Sequence, residues 1–208
     1  MSTRFIFIRH AQSTWNEIGR WQGHANPPLG ENGRAQARLL ARRLSTWKID
    51  HLYCSDLDRA TTTAAILGES LGLTPVIDPL WRERGIGALE GLTTEEIELR
   101  FPEAWATRLS GPMIGIEGAE APEAILLRAE TACVALLARH PHQSVAVVSH
   151  GGMILATLVH LLQFPPTGFA RLTGGYHTAI SQVVIDEGHA RLVGLNDAAH
   201  LELLDAQT

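Results

Sequence analysis

The chain has 208 residues, 45% of them hydrophobic and 19% charged, which suits a globular protein with a sizeable core and is unlike a disordered chain. Its formal net charge of -5 argues against a nucleic-acid partner, because binding a phosphate backbone needs a surplus of lysine and arginine. A local cluster of arginines on such an acidic protein is still compatible with a small anionic substrate.

The first part of the chain alternates between short apolar runs, which predict buried strands, and segments with helical periodicity. Gly72 follows the second helical segment and is expected to end it, because glycine readily adopts the left-handed conformation of a helix C-terminus. In chain order we predict a strand at 5–8, a helix at 31–47, a strand at 49–54, a helix at 57–71 and a strand at Val76 and Ile77.

The second part begins with residues 93–109, which predict one helix or two helices with a break at Pro102. Residues 110–121 contain several glycines and little periodicity, which is typical of a loop. Farther along, Glu187 and Gly188 predict the turn of a hairpin. The other elements predicted there are a helix at 122–139, a strand at 143–149, a helix at 152–162 and hairpin strands at 179–185 and 190–195.

This order of elements predicts a three-layer α/β fold, in which a mainly parallel sheet carries helices on both faces. The sequence contains no internal repeat and no clean linker, so we expect a single domain over residues 1–208. Residues 93–121 are expected to form a small cap-like insertion over the functional site.

Cysteine content and apolar run lengths indicate the compartment. Cys54 and Cys133 are too few for a disulfide framework and lie in apolar surroundings typical of buried free thiols. The apolar run at 5–8 is too short for a signal-peptide core, and the stretch 153–162 is too short to span a membrane. We therefore expect a cytoplasmic enzyme without a membrane partner.

Charged side chains follow the predicted strands at the point where each strand ends. Arg9 and His10 follow the first strand, and Arg59 lies in the first turn of the helix after the second. Glu83 lies in a glycine-containing loop after the third strand, and His150 follows the strand at 143–149. Because open α/β sheets bind ligands at the carboxyl ends of their strands, we expect these side chains to lie together.

Each of these residues also has a purely structural interpretation. Arg59 is able to pair with Asp56, Glu83 with the arginines on either side of it, and His150 is able to cap the next helix. Together, however, they suit phosphoryl transfer, whose transition state spreads negative charge that guanidinium groups bind in bidentate fashion. A neutral imidazole is able to attack phosphorus, and a carboxylic acid is able to protonate the leaving oxygen.

The ordered set of motifs resembles the histidine phosphatase superfamily, which has the phosphoglycerate-mutase-like fold. The resemblance runs from residue 4 to about residue 200, with Ala11 and Gln12 standing where Gly and Glu are more usual. The matching segments are RHAQSTWN (9–16), RWQG (20–23), PLGENGRAQA (28–37), SDLDRATTTA (55–64), RERGIGALEG (82–91) and VVSHGGMI (147–154).

The resemblance implies a role for each residue at the strand ends. His10 would be the phosphorylated nucleophile, and Arg9, Arg59 and His150 would form the phosphate pocket. Glu83 would donate a proton to the leaving group and then activate water. No metal ion and no cofactor are implied. Contacts to the phosphate or to the rest of the substrate are expected from Asn16, Gln22, Gly23 and, at the start of the following helix, Gly151.

Mutases and phosphatases of this family differ at two motifs. The mutases usually have ERHYG at the acid loop and HGNS after the second histidine, whereas this chain has ERGIG at 83–87 and HGGM at 150–153. The mutases are also longer. We therefore favour hydrolysis of a small phosphorylated metabolite, with a cofactor-dependent phosphoglycerate mutase as the alternative.

Two other classes remain as competing hypotheses. The sequence GESLG at 68–72 matches the nucleophile motif of serine hydrolases, but that motif needs a strand before it and a helix after it, and the predicted order here is reversed. A binding protein without turnover would keep the same fold. Among the remaining histidines, His24 and His177 are expected nearest the pocket.

The substrate and the oligomeric state stay open. Arg100, Trp105 and Arg108 favour an anionic or ring-bearing leaving group, although a solvated surface explains them equally well. The apolar residues of 164–169 fit either a homodimer contact or a packed loop.

Overall fold

The computed structural model describes residues 2–108, 111–165, 172 and 175–202. A single six-stranded sheet forms the centre of the fold. Its strands are β1 (Thr3–Arg9), β2 (His51–Cys54), β3 (Val76–Ile77), β4 (Ser144–Ser149), β5 (Ile180–Asp186) and β6 (His189–Asp197).

The strand order is β3-β2-β4-β1-β5-β6. The first four strands in that order pair in parallel, whereas β5 and β6 add an antiparallel hairpin beside β1. This mixed sheet confirms the mainly parallel prediction. Arg9 of β1 lies opposite Ser149 of β4, so the residues that follow the two strands leave the sheet side by side.

Helices cover both faces of the sheet, as predicted. Short 3-10 turns lie at Pro79–Trp81, Gly87–Leu89 and Ala199–Leu201. No helix in the described ranges is long and apolar enough to cross a membrane. The helices are α1 (Thr14–Glu17), α2 (Glu31–Leu44), α3 (Asp58–Leu71), α4 (Thr94–Arg100), α5 (Pro102–Thr107), α6 (Pro122–Arg139) and α7 (Gly151–Leu161).

Alternation along the buried strands divides the core into two layers. In β1, Phe5 and Phe7 pack against α6 and α7, whereas Ile6 and Ile8 pack against α2 and α3. Successive side chains of a strand point to opposite faces, so a continuous apolar run fills both layers. Cys133 lies in the first layer, where burial raises its thiol pKa to about 12. Both cysteines are free and buried, as predicted.

Most predicted boundaries lie within one or two residues of those in the structure, and the largest difference is at the end of α2. The helix predicted at 31–47 ends at Leu44, where the Ser45 hydroxyl donates to the Arg42 carbonyl at 2.8 Å and competes with the helical bonds. Gly72 ends α3 with a φ of 67°, and Glu187 and Gly188 form the hairpin turn with φ of 49° and 78°, as expected.

A third apolar cluster lies outside the two core layers. It joins the segment after β3 to the predicted insertion, whose two short helices are separated at Pro102. The cluster consists of Ile86, Leu89, Ile97, Ala104, Met113 and Ile116.

The predicted dimer contact involves the apolar residues of 164–169. The side chain of Phe164 is partly exposed, and residues 166–169 lie outside the described residues, so this contact stays a prediction.

Candidate active site

A cavity of about 620 Å³ opens at the carboxyl ends of the strands. His150 does not line it, but its ring centroid lies 5.0 Å from that of His10. Gly151 begins α7, and it is the next residue, Gly152, that contributes to the cavity wall. The other residues predicted for the site all line the cavity: Arg9, His10, Asn16, Gln22, Gly23, Arg59 and Glu83.

His10 has a defined tautomer. Its backbone N–H donates to the Ser149 carbonyl at 2.8 Å, which holds the residue beside β4. Its ring atom Nδ1 lies 2.7 Å from the Ala11 carbonyl oxygen. A carbonyl only accepts hydrogen bonds, so Nδ1 carries the proton and Nε2 carries the lone pair when the ring is neutral. That arrangement prepares Nε2 to act as a nucleophile.

Three imidazoles of the site, two of them buried, are neutral at physiological pH. Burial first, and then the neighbouring imidazole and guanidinium groups, lowers the pKa of His10 and of His150 well below 6.5. Burial and Arg9 lower the pKa of His177 to about 3. The His177 ring centroid lies 5.7 Å from that of His10, so this histidine is near the pocket, as expected.

Arg59 is almost completely buried, at 1% exposure. Its two terminal nitrogens donate to the carbonyls of Gly23 and Ala25, each at 2.8 Å, and its Nε has no hydrogen-bond partner among the described residues. The alternative pairing with Asp56 is not formed, since Asp56 binds Arg82 at 2.7 and 2.5 Å. A buried cation held by carbonyls alone favours an anionic ligand.

The Arg59 and His10 segments are tied together by a threonine. The Thr63 hydroxyl donates to the Arg59 carbonyl at 2.6 Å and accepts from the Ala11 backbone N–H at 3.1 Å. Beside them, Arg9 donates to the Gly175 carbonyl at 2.6 Å. These bonds fix the two arginines relative to the imidazole without using a side-chain carboxylate.

Glu83 lies against the start of α7. Its carboxylate accepts from the backbone N–H groups of Arg84 at 2.8 Å and of Gly152 and Met153 at 3.2 Å. The sequence analysis expects the start of this helix to contact the substrate through Gly151, and in the structure the next two backbone N–H groups bind Glu83. A Cβ on Gly152 would lie 2.5 Å from the Glu83 carboxylate, so a side chain there would displace this carboxylate.

His24 forms a hydrogen bond with the backbone of Glu83. Its Nε2 donates to the Glu83 carbonyl at 2.8 Å, and its own backbone N–H donates to the Glu90 carboxylate at 2.6 Å. The sequence placed His24 beside the pocket, but periodicity contains no signal for this contact. Arg128 of α6 donates to the same Glu83 carbonyl at 3.2 Å, and sequence reasoning missed this residue altogether.

Three further arginines, Arg20, Arg84 and Arg108, line the cavity. Arg84 donates to the carbonyls of Met113 and Glu120, and Arg108 lies over the Trp105 ring at 4.0 Å. Arg100 and Trp105, considered with Arg108 from the sequence, are not among the described lining residues. Glu83 is the only acidic side chain among those lining residues, so the cavity is strongly cationic.

A neutral imidazole nucleophile, flanking guanidinium groups and one carboxyl group define an enzyme of phosphoryl transfer. The family model of the histidine phosphatase superfamily (branch 1) matches residues 5–198. The chain therefore belongs to the histidine phosphatase superfamily.

Individual relatives include both phosphatases and mutases. Phosphoserine phosphatase 1 of Hydrogenobacter thermophilus is 31% identical over 95% of this chain and 94% of its own. A probable phosphoglycerate mutase of Yersinia pestis is 36% identical over 74% of each chain. A solved mycobacterial glucosyl-3-phosphoglycerate phosphatase is 29% identical and superposes with a TM-score of 0.87 over 93% of this chain and 98% of its own.

We expect acid to destabilise the protein through the three neutral histidines of the site. Their native pKa values lie below 6.5, so the unfolded chain binds more protons, and stability is lost as the pH falls below 6.5. Each histidine contributes up to about 1.4 kcal/mol per pH unit to the free energy of unfolding. Urea unfolding between pH 7.5 and 4.5 measures this slope.

The matched pair of variants is His177→Asn and His189→Asn. His189 lies exposed on the hairpin, so its replacement should leave the slope unchanged. The His177 variant should have a smaller slope than the natural protein, and an unchanged slope would contradict the assignment of this neutral imidazole.

Proposed function

We propose that the protein is a metal-independent phosphomonoesterase, which hydrolyses a small phosphorylated metabolite through a phosphohistidine on His10. The observation that carries this proposal is the fixed tautomer of His10, with its Nε2 lone pair in a cationic cavity. The phosphatase relatives support hydrolysis as the reaction.

In the first step, His10 Nε2 attacks phosphorus, and the bond between phosphorus and the ester oxygen breaks. Arg9 and Arg59 stabilise the charge on the equatorial oxygens, and the Glu83 carboxylic acid gives its proton to the leaving oxygen. In the second step, the Glu83 carboxylate takes a proton from water, whose oxygen attacks the phosphohistidine. The phosphorus–nitrogen bond breaks, inorganic phosphate leaves, and the neutral imidazole of His10 is regenerated.

No metal ion or cofactor enters this mechanism. Arg9 and Arg59 supply the positive charge that a metal ion supplies in other phosphoryl transfer enzymes. We also propose that the enzyme acts in the cytoplasm and that residues 93–121 cap the site. Thr94, Arg108 and Met113 of that segment line the cavity, which supports the assignment.

The size and charge of the cavity indicate the class of substrate. A volume of about 620 Å³ accommodates much more than a phosphate group. Arg20, Arg84 and Arg108 also line the cavity and come from segments other than those that hold His10. We therefore propose a phosphomonoester whose alcohol carries a second negative charge, such as a carboxylate.

Hydrolysis of p-nitrophenyl phosphate with and without EDTA tests the reaction and its metal independence. We expect EDTA-insensitive phosphate release and an acid-labile, base-stable phosphoenzyme after rapid quench in denaturing alkali. Phosphoserine should have a lower KM than glycerol phosphate, because its carboxylate meets the arginines. Release that stops with EDTA and returns with a divalent cation would exclude the metal-independent mechanism.

A phosphoglycerate mutase is the second candidate, and the relative that is 36% identical favours it. Both activities pass through a phosphohistidine but differ in the acceptor of the phosphoryl group. Incubating 3-phosphoglycerate with a bisphosphoglycerate primer distinguishes them. The phosphatase releases inorganic phosphate, whereas a mutase forms 2-phosphoglycerate faster than phosphate.

A further inference from the structure

Arg128 of α6 joins two parts of the molecule that are distant in sequence. Its Nε and Nη2 bind the two carboxylate oxygens of Glu120 at 3.0 and 2.7 Å. Its Nη1 donates to the carbonyls of Leu80 at 3.0 Å and Arg82 at 2.6 Å, and its Nη2 donates to the Glu83 carbonyl at 3.2 Å. One guanidinium therefore holds three carbonyls of the segment that carries Glu83.

The charge of Arg128 is balanced within the protein. The side chains of Arg128 and Glu120 are 17% and 18% exposed, so this ion pair is largely shielded from solvent. Arg128 does not line the cavity and therefore is not placed to bind substrate. The N–H groups of this shielded guanidinium donate to neighbouring backbone carbonyls, so Arg128 fixes the conformation of that backbone segment.

The hydrogen bonds of Arg128 help to hold the Glu83 peptide in place. His24 donates to the same carbonyl from another segment, at 2.8 Å. The carboxylate at the other end of Glu83 lies on the N-terminal turn of α7, against Gly152 and Met153. With its peptide and its carboxylate both held, Glu83 has little freedom to move relative to His10.

We propose that Arg128 is a positioning residue, which fixes the Glu83 peptide so that the carboxyl group reaches the leaving oxygen of the substrate. This proposal rests on the proposed role of Glu83 as proton donor. Proton donation matters most when the leaving alkoxide is basic, and it matters little when the leaving group is already a weak base. Loss of Arg128 should therefore penalise alkyl phosphates and spare p-nitrophenyl phosphate.

The test compares kcat/KM of Arg128→Met for phosphoserine and for p-nitrophenyl phosphate. The kcat/KM of each substrate reports the steps up to formation of the phosphohistidine, and Glu83 acts as the acid in those steps. We expect kcat/KM for phosphoserine to fall roughly 30-fold or more and that for p-nitrophenyl phosphate to fall less than about threefold. Equal falls for the two substrates would overturn the proposal.

Arg43→Met is the matched control, because Arg43 forms a partly exposed ion pair with Asp197 away from the cavity. Its effect on the two substrates should be equal and small. If Arg128→Met does not fold, Arg128→Lys is measured by the same criterion. Lysine keeps the charge but has one nitrogen, so a smaller preference for the aryl phosphate is expected, and equal falls again contradict the proposal.

A failure of the proposed function is recognised separately in the natural protein. If no phosphohistidine forms on His10, the function is wrong whatever Arg128 does. If it forms and the variant shows equal falls for both substrates, the reaction stands and the positioning role of Arg128 is excluded.

Discussion

Replacement of His10 by alanine is expected to lower kcat/KM for every phosphomonoester by at least about 10³-fold, because it removes the nucleophile. The unprotonated Nε2 of His10 lies in the cationic cavity. The neighbouring imidazole of His150 is not placed to replace it. His150 lies outside the described cavity lining. Steady-state hydrolysis of p-nitrophenyl phosphate measures the loss, and protein quenched in denaturing alkali should contain no phosphohistidine.

The His10→Ala variant should still bind inorganic phosphate, because Arg9 and Arg59 remain. Removing the buried imidazole also removes one group whose neutral form is favoured in the native state, so acid should destabilise this variant less. His51→Gln is the matched control, since this histidine lies at the start of β2, the opposite end of the sheet. Phosphohistidine found in His10→Ala would assign the nucleophile to another imidazole.

The meeting of His10 and His150 is predictable from sequence because each follows an apolar run. A buried strand leaves its last polar residues at the carboxyl edge, and parallel neighbours bring those edges together. The structure adds the register, with Arg9 opposite Ser149. That detail follows from packing of both faces of the sheet and is not contained in the periodicity of either strand.

The surroundings of Glu83 are not predictable in the same way. Its carbonyl meets His24 and Arg128, and its carboxylate meets Gly152, so the contacts join segments far apart in the chain. No local pattern marks such partners. The sequence indicated an acid in a loop, but the position of the loop depends on tertiary hydrogen bonds.

Burial lowers the pKa of both the imidazole and the guanidinium groups of the site, but the two groups differ in charge at neutral pH. It lowers the pKa of the His10 imidazole well below 6.5, and it lowers that of Arg59 to about 10. At neutral pH the first group is therefore uncharged and nucleophilic, while the second stays cationic. A single environment thus produces a nucleophile and an anion-binding group side by side.

Replacement of Arg59 is expected to weaken both catalysis and folding. Arg59→Met removes a cation from the cavity and leaves the Gly23 and Ala25 carbonyls without their donor. We expect kcat/KM to fall about 10³-fold or more. The free energy of unfolding should fall by about 1–3 kcal/mol for the buried Gly23 carbonyl and by less for the partly buried Ala25 carbonyl. Phosphate binding and urea unfolding measure the two effects.

Arg59→Lys separates charge from geometry. Lysine restores the positive charge, but its single ammonium is unable to bind two carbonyls and a phosphate in bidentate fashion, so kcat/KM should still fall about 10²-fold. Arg82→Gln is the matched control, because Arg82 pairs with Asp56 and does not line the cavity. Its partly exposed ion pair should contribute about 1 kcal/mol or less to the free energy of unfolding. Comparable losses of activity in the Arg59 and Arg82 variants would mean that the phosphate is bound elsewhere.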